Sequence, residues 1–298
     1  MDDLKKHTTK DGSFSLYSFS YKEGFHDKGG ALRESIDKYL LPAQLEQFSN
    51  NKKIVVLDVC MGLGYNTGCI LEELLKSNKT IEWHGLEIDQ RPLSLGLNEK
   101  TFNEVWSSKV LHFFKCLNKS GKWTNNSNEG TVHWGDARQK IYEIRDSIRF
   151  DLILLDPFSP QKCPELWSEE FISLLTERLS TEGRLITYST AASIRASFKR
   201  AGLNIYSIVP STDDQRKWSS GTVAMKKKIE EQLIEKNCQI KELSTKEVEH
   251  LATRSSIPYR DPTGKGNSKE IISTREIEQS KSQLINTSSW RKRWNTAR

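Results

Sequence analysis

Ile54-Val55-Val56-Leu57-Asp58-Val59-Cys60-Met61-Gly62-Leu63-Gly64-Tyr65-Asn66 is an apolar run that breaks into a glycine turn. A short continuous apolar run bounded by a turn is the pattern of a strand buried on both faces, as in a parallel sheet. Apolar residues from Thr67 to Lys76 then recur at helical spacing. The turn between them needs glycine, because it bends sharply and lets the backbone come close to a ligand.

The same unit recurs along the chain. Ile81 to Leu86 predicts a second strand, ending at Glu87, and Pro92 to Leu117 a long helical stretch. Lys119 to Gly130 is rich in Asn, Ser, Lys and Gly and predicts a surface loop. Thr131 to Trp134 predicts a short strand closing on Gly135-Asp136, and Asp151 to Asp156 another buried strand. A helix over Glu169–Leu179 with Ser168 as its cap, a strand over Arg184–Tyr188 and a helix over Ala191–Ala201 closed by Gly202 follow. Leu203–Val209 and Thr222–Met225 suit an antiparallel pair. This alternation predicts an α/β fold, with a mostly parallel sheet, an antiparallel edge and helices on both faces.

Composition narrows the class. Of 298 residues, 36% are apolar and 28% charged, the balance of a soluble globular chain. No run approaches the roughly 20 apolar residues of a membrane span, and the polar start lacks the apolar core of a secretory signal. Cys60, Cys69, Cys116, Cys163 and Cys238 are odd in number and form no C-x-x-C pair. Neither a disulfide framework nor a metal site is expected, and a cytoplasmic setting is. The net charge of +6 is uneven. Residues 226–298 hold 16 Lys+Arg against 10 Asp+Glu, which leaves the first 225 residues neutral. Such an excess is either a nucleic-acid footprint or a solvated helical face. From Lys226 strand patterns vanish, and Ser244-x-x-Glu247 and Ser273-x-x-Glu276 both have the form of capping boxes that open helices.

Four strand ends carry the chemistry. Gly62-Leu63-Gly64 alone serves dinucleotide and S-adenosylmethionine enzymes alike. Glu87, in Gly85-Leu86-Glu87, can accept hydrogen bonds from a ribose diol, again for either cofactor. Asp136, in Gly135-Asp136-Ala137, can accept from an adenine amine or cap a helix. Together, in this order and at strand ends, the three are far more specific. The fourth is Leu155-Asp156-Pro157-Phe158-Ser159-Pro160, then Pro164-Glu165-Leu166-Trp167. Asp156 sits where it can hold an amine nucleophile and take its proton. Phe158 and Trp167 can stack on a base or pack the core.

These segments resemble the methyltransferase domain of the MnmC family, which works on 5-methylaminomethyl-2-thiouridine in tRNA. Asp11–Ser18, Gly29–Ser35 and Gly183–Ser189, with Arg195 and Gly202, extend the resemblance over about residues 10–225. Pro157 and Cys163 depart from the bifunctional pattern, and no second dinucleotide domain is legible, so the match is to a methyltransferase-only branch. The resemblance implies a class I Rossmann-like methyltransferase domain over 51–225. A lead-in and cap segment over 1–50 precedes it, and a basic helical extension over 226–298 follows. It implies S-adenosylmethionine as cofactor and tRNA as partner, with a separate enzyme supplying the aminomethyluridine precursor. It places Tyr17, Ser18 and Glu34 in a cap over the cofactor. Together with that cap, Gly62, Gly64, Asn66, Glu87, Asp136, Asp156 and Pro157 would bind it, with Asp156 also at the chemistry and Phe158, Trp167 and Tyr188 toward the substrate. Three other readings compete: a polyamine aminopropyltransferase, an NAD-dependent oxidoreductase and a non-catalytic RNA-binding subunit of a tRNA modification complex. The third glycine of G-x-G-x-x-G is missing, which disfavours the oxidoreductase.

Overall fold

The computed structural model describes residues 3–49, 53–77, 79–210, 218–230, 234 and 239–296. The chain divides into two compact units, Met1–Phe158 with Gly183–Thr187, and Ser159–Glu182 with Tyr188–Arg298.

The first unit opens with a small antiparallel sheet of β1 (Leu4–Thr8), β2 (Phe14–Ser18) and β3 (Glu23–Gly24). Its main sheet holds β4 (Lys53–Val59), β5 (Thr80–Glu87), β6 (Lys122–Asn125), β7 (Asn128–Trp134) and β8 (Phe150–Leu155), with the end of β9 (Leu179–Thr187). The order is β9-β8-β4-β5-β7-β6. β8, β4, β5 and β7 run parallel, and β6 turns back antiparallel on β7. All six residues of β8 are buried, as a strand covered on both faces requires. Helices flank this mostly parallel sheet, as expected.

Local chemistry explains where the elements differ from expectation. The stretch 92–117 is three helices, Arg91–Leu97, Lys100–Asn103 and Ser108–Ser120. The last starts afresh because the Ser107 hydroxyl accepts from the Val110 amide and caps it. The loop expected over 119–130 is instead the β6–β7 hairpin. Asn126 sits at φ 55°, which suits a tight two-residue turn, and buried Trp123 anchors an otherwise exposed edge strand.

In the second unit Ser168 caps the helix Glu169–Arg178, and Gly202 at φ 87° follows the helix Ala192–Arg200, both as expected. β10 (Asn204–Ile208) pairs antiparallel with β11 (Gly221–Met225), with Tyr206 opposite Val223. A strand does occur beyond residue 226, since β12 (Ile240–Lys241) pairs with β10. The Ser244–Glu247 capping box opens the helix Thr245–Leu251. Ser273 caps nothing. It lies inside the helix Ser268–Lys281, which opens at Asn267 with Glu270 three residues on. Thr287–Trp294 forms the last helix. No helix among the described residues is long and apolar enough to cross a membrane. Cys60, Cys69, Cys116 and Cys163 are free thiols, and Cys238 lies outside the described residues.

A buried ion pair lies in the core of this unit. Arg195 on the helix Ala192–Arg200 donates to Glu247 at 2.8 Å, and to Thr222, Ser207, Ser219 and the Gly221 carbonyl. Both charged side chains are essentially inaccessible. Burial pushes the Glu247 carboxyl up, but hydrogen bonds from Ser207, Ser244 and Arg195 outweigh it and hold it below its ordinary value. Replacing one partner would strand the other charge out of water. Glu247→Ala should therefore cost about 3–5 kcal/mol at neutral pH, read as a drop in melting temperature. A carboxyl with a depressed folded-state pKa stabilises above its unfolded value and loses that effect as pH falls through the folded one. The deficit of the variant should shrink in acid. A deficit that does not change with pH would show that Glu247 acts by packing alone.

Candidate active site

The strand ends of the first unit meet along one edge because the parallel register holds them level. Val59 pairs with Leu86 and with Leu155, and Glu87 pairs with Trp134. Three backbone hydrogen bonds carry the ladder one step past the strands: Cys60 N–H to Leu86 O, Gly135 N–H to Glu87 O, and Asp156 N–H to Val59 O. The glycine turn, Glu87, Asp136 and Asp156 thus share the C-terminal edge of the sheet, where open α/β sheets bind ligands.

Glu87 is 6% exposed. Its Oε2 accepts from the Gly62 amide at 2.8 Å, and Oε1 from the Ile88 and Asp89 amides at 2.7 and 2.9 Å. Burial pushes its pKa up while these three donors pull it back. The two glycines answer to different demands. Gly62, at φ +55°, gives its amide to Glu87, and a Cβ there would lie 3.3 Å from the Phe25 ring. Gly64, at φ +91°, is required by packing, because a Cβ there would lie 2.6 Å from the Phe114 ring. Asp58 is fully buried. It accepts from the Thr67 hydroxyl through Oδ2 while Oδ1 has no partner, and burial pushes it up to about 7.

Asp136 caps the short helix Ala137–Lys140 by accepting from the Arg138 amide, and the Arg138 guanidinium grips it at 2.7 Å. Its side chain keeps 37% of its surface exposed, so an edge is left for a ligand.

Asp156 receives one donor on each oxygen. The Tyr39 phenol donates to Oδ1 at 2.5 Å, and the Asn66 amide to Oδ2 at 2.7 Å. Burial pushes the carboxyl up, and the Glu34 charge adds to this. Tyr39 and Asn66 pull it down, and the balance stands at about 8. Pro157 is buried beside it. Phe158 stacks on Tyr21 with centroids 4.4 Å apart and takes the edge of Phe25 at 5.1 Å. In the lead-in segment, Tyr17 meets Phe19 edge-on. The Ser18 hydroxyl accepts from the Tyr21 amide, and Glu34 accepts from the Asp27 amide and pairs with Lys38.

In the second unit, Trp167 is wholly buried and meets Tyr188 edge-on at 5.9 Å. It packs a core and has no face open to a base. The sequence reading missed Tyr39, whose partner lies 117 residues away. It also missed Ile88, an apolar side chain left 67% exposed immediately after Glu87. Among the described residues no group of three or more His, Cys, Asp or Glu side chains is arranged to hold a metal.

A family model for S-adenosyl-L-methionine-dependent methyltransferases matches residues 100–224. A protein of Methanocaldococcus jannaschii is 30% identical over 280 residues, covering 92% of this chain and 72% of that protein. The tRNA 5-methylaminomethyl-2-thiouridine biosynthesis bifunctional protein MnmC of an Azoarcus species is 26% identical over 63% of this chain. This chain spans about a third of that protein's length, 31%. The crystal structure of MnmC2 from Aquifex aeolicus superposes with a TM-score of 0.77 at 27% identity, covering 94% of this chain and 86% of that one. The chain belongs to the S-adenosylmethionine-dependent methyltransferase family, with the class I α/β fold and S-adenosylmethionine as its cofactor. Within that family it resembles MnmC and MnmC2 proteins.

The donor set suits this cofactor. Glu87, buried and held by backbone amides, has the chemistry to accept from a ribose diol, and the turn at Gly62 lies beside it. Glu87→Ala removes the charged acceptor. It should weaken S-adenosylmethionine binding by about 1.5–3 kcal/mol in calorimetry. Unchanged affinity in a folded variant would take Glu87 out of the site.

Proposed function

We propose that this methyltransferase acts on the nitrogen of an aminomethyl group at the wobble uridine of tRNA. The observation that carries the reading is Asp156, a largely buried carboxyl at the sheet edge with only one donor on each oxygen. The similarity to MnmC proteins, whose name specifies the biosynthesis of 5-methylaminomethyl-2-thiouridine in tRNA, supports the substrate class.

When bound, S-adenosylmethionine supplies an activated methyl group. The chain itself has to align the amine and clear its proton. An alkyl amine has a pKa near ~10.4 and arrives protonated, without a free lone pair. Asp156 uses two of a carboxylate's roughly four acceptor positions on Tyr39 and Asn66. The others remain for the amine N–H groups. A carboxyl raised to about 8 is a stronger base than an ordinary aspartate and closer in pKa to the amine. Such a base works only when ionised, so the rate should fall as pH drops below the Asp156 pKa.

On this reading Glu87 and Gly62 hold the cofactor, Asp136 presents its exposed edge to the adenine amine, and Tyr17, Ser18 and Glu34 belong to the covering segment. Phe158 faces the substrate only if its stack with Tyr21 opens.

Asp156→Asn keeps the shape and removes the base. Methyl transfer to tRNA should slow by about 10²–10⁴-fold while S-adenosylmethionine affinity holds. Full activity in single-turnover assays would show that Asp156 is not the proton acceptor.

The tRNA backbone needs cationic partners, and the excess charge lies in residues 226–298. The last helix exposes Arg291 and Lys292. Its tryptophans serve its docking. Trp290 is buried, stacks on His250 at 4.1 Å and donates to the Lys246 carbonyl, and Trp294 donates to Glu249. Arg291→Gln with Lys292→Gln should weaken tRNA binding and reduce the salt slope by about 2, one per lost phosphate contact. Cofactor affinity should not change. Equal tRNA affinities and slopes would move the RNA surface elsewhere.

A further inference from the structure

Residues 31–43 do not form one regular helix. Ala31–Ser35 is α-helical, Ile36–Leu40 is a π turn in which the Leu41 amide bonds the Ile36 carbonyl five residues back, and Leu41–Ala43 resumes the α form. One extra residue in a turn rotates everything beyond it by about 100°, and such bulges gather at functional sites. The residue this turn buries is Tyr39, 1% exposed, with its phenol on Asp156. The chain just beyond is clamped from β9. The Arg184 guanidinium donates to the Pro42 carbonyl at 3.0 Å and to the Gln44 and Gln47 side chains. A rigidly backed phenol therefore reaches a carboxylate 117 positions along the chain.

We propose that Tyr39 is the positioning residue of the methyl-transfer site, orienting the Asp156 carboxylate and favouring its ionised form. The claim rests on the reading of Asp156 as proton acceptor. A phenol is a neutral donor. Its hydrogen bond stabilises the carboxylate without adding a cation that would repel a protonated amine. The donor also holds Oδ1, as Asn66 holds Oδ2, so the plane of the carboxylate is set before substrate arrives. The opposing charges are Glu34 on the preceding helix and Asp58 on β4, both of which disfavour ionisation of Asp156. Lys38 is occupied by Glu34 at 2.5 Å.

The test titrates Asp156 directly in the full chain by carbon-13 NMR with carboxyl-labelled aspartate. The resonance is assigned by its loss in Asp156→Asn. Tyr39→Phe keeps the buried ring and removes only the donor. The Asp156 titration should move up by about one to two pH units, the equivalent of one hydrogen bond to a charged group. Tyr39→Gln retains a donor on a shorter side chain and should titrate between wild type and Phe. It decides the matter on its own if the Phe variant does not fold. The acid limb of kcat for methyl transfer should move with the resonance, while KM for S-adenosylmethionine stays put. Titration of both variants with wild type would overturn the proposal. The NMR readout needs no nucleoside, so a tRNA that is not methylated would overturn the proposed function and leave the Tyr39 result standing.

Discussion

Everything at the active edge depends on the register of four parallel strands. A parallel ladder spaces its hydrogen bonds evenly, so neighbouring strands can end level. Here the ladder continues one residue past β4, β7 and β8, through the amides of Cys60, Gly135 and Asp156. A slip of one residue would turn each side chain to the other face. Glu87 would lose its contact with the Gly62 amide, and Asp156 would no longer meet Asn66. The buried apolar strands therefore do more than make a core. They hold three carboxylates and a glycine turn in one line.

That placement sets up a conflict over charge. Asp58, Glu87 and Asp156 are all withdrawn from water near one another, and burial raises all three. The structure resolves the conflict differently at each. Glu87 receives three backbone amides, and Asp58 keeps one hydroxyl donor and one unpartnered oxygen. Asp156 receives two side-chain donors and retains acceptor capacity. The last arrangement suits a group that must gain and lose a proton, and the first a group that must stay an acceptor.

Short apolar-rich segments bounded by turn residues made β4, β5 and β8 legible, because their length suits a strand and is too short for a helix. The carboxylates at their ends were legible for the same reason. The edge strand β6 was not, since only Trp123 of its residues is buried and the rest look like a loop. Ser273 matched the spacing of a capping box, but Asn267 and Glu270 had the same spacing six residues earlier and took the role. Gly64 looked like a ligand glycine and proved to answer also to Phe114. Tyr39 left no local trace, because its role comes from a π turn and a distant partner.

The proposed reaction moves a methyl group onto an aminomethyluridine nitrogen in tRNA. The most direct measurement is nucleoside mass spectrometry after incubating the protein with S-adenosylmethionine and tRNA bearing 5-aminomethyl-2-thiouridine. The account predicts that this nucleoside disappears and that its N-methyl derivative, one methylene heavier, takes its place. Persistence of the aminomethyl nucleoside, with tRNA and cofactor both demonstrably bound, would contradict it.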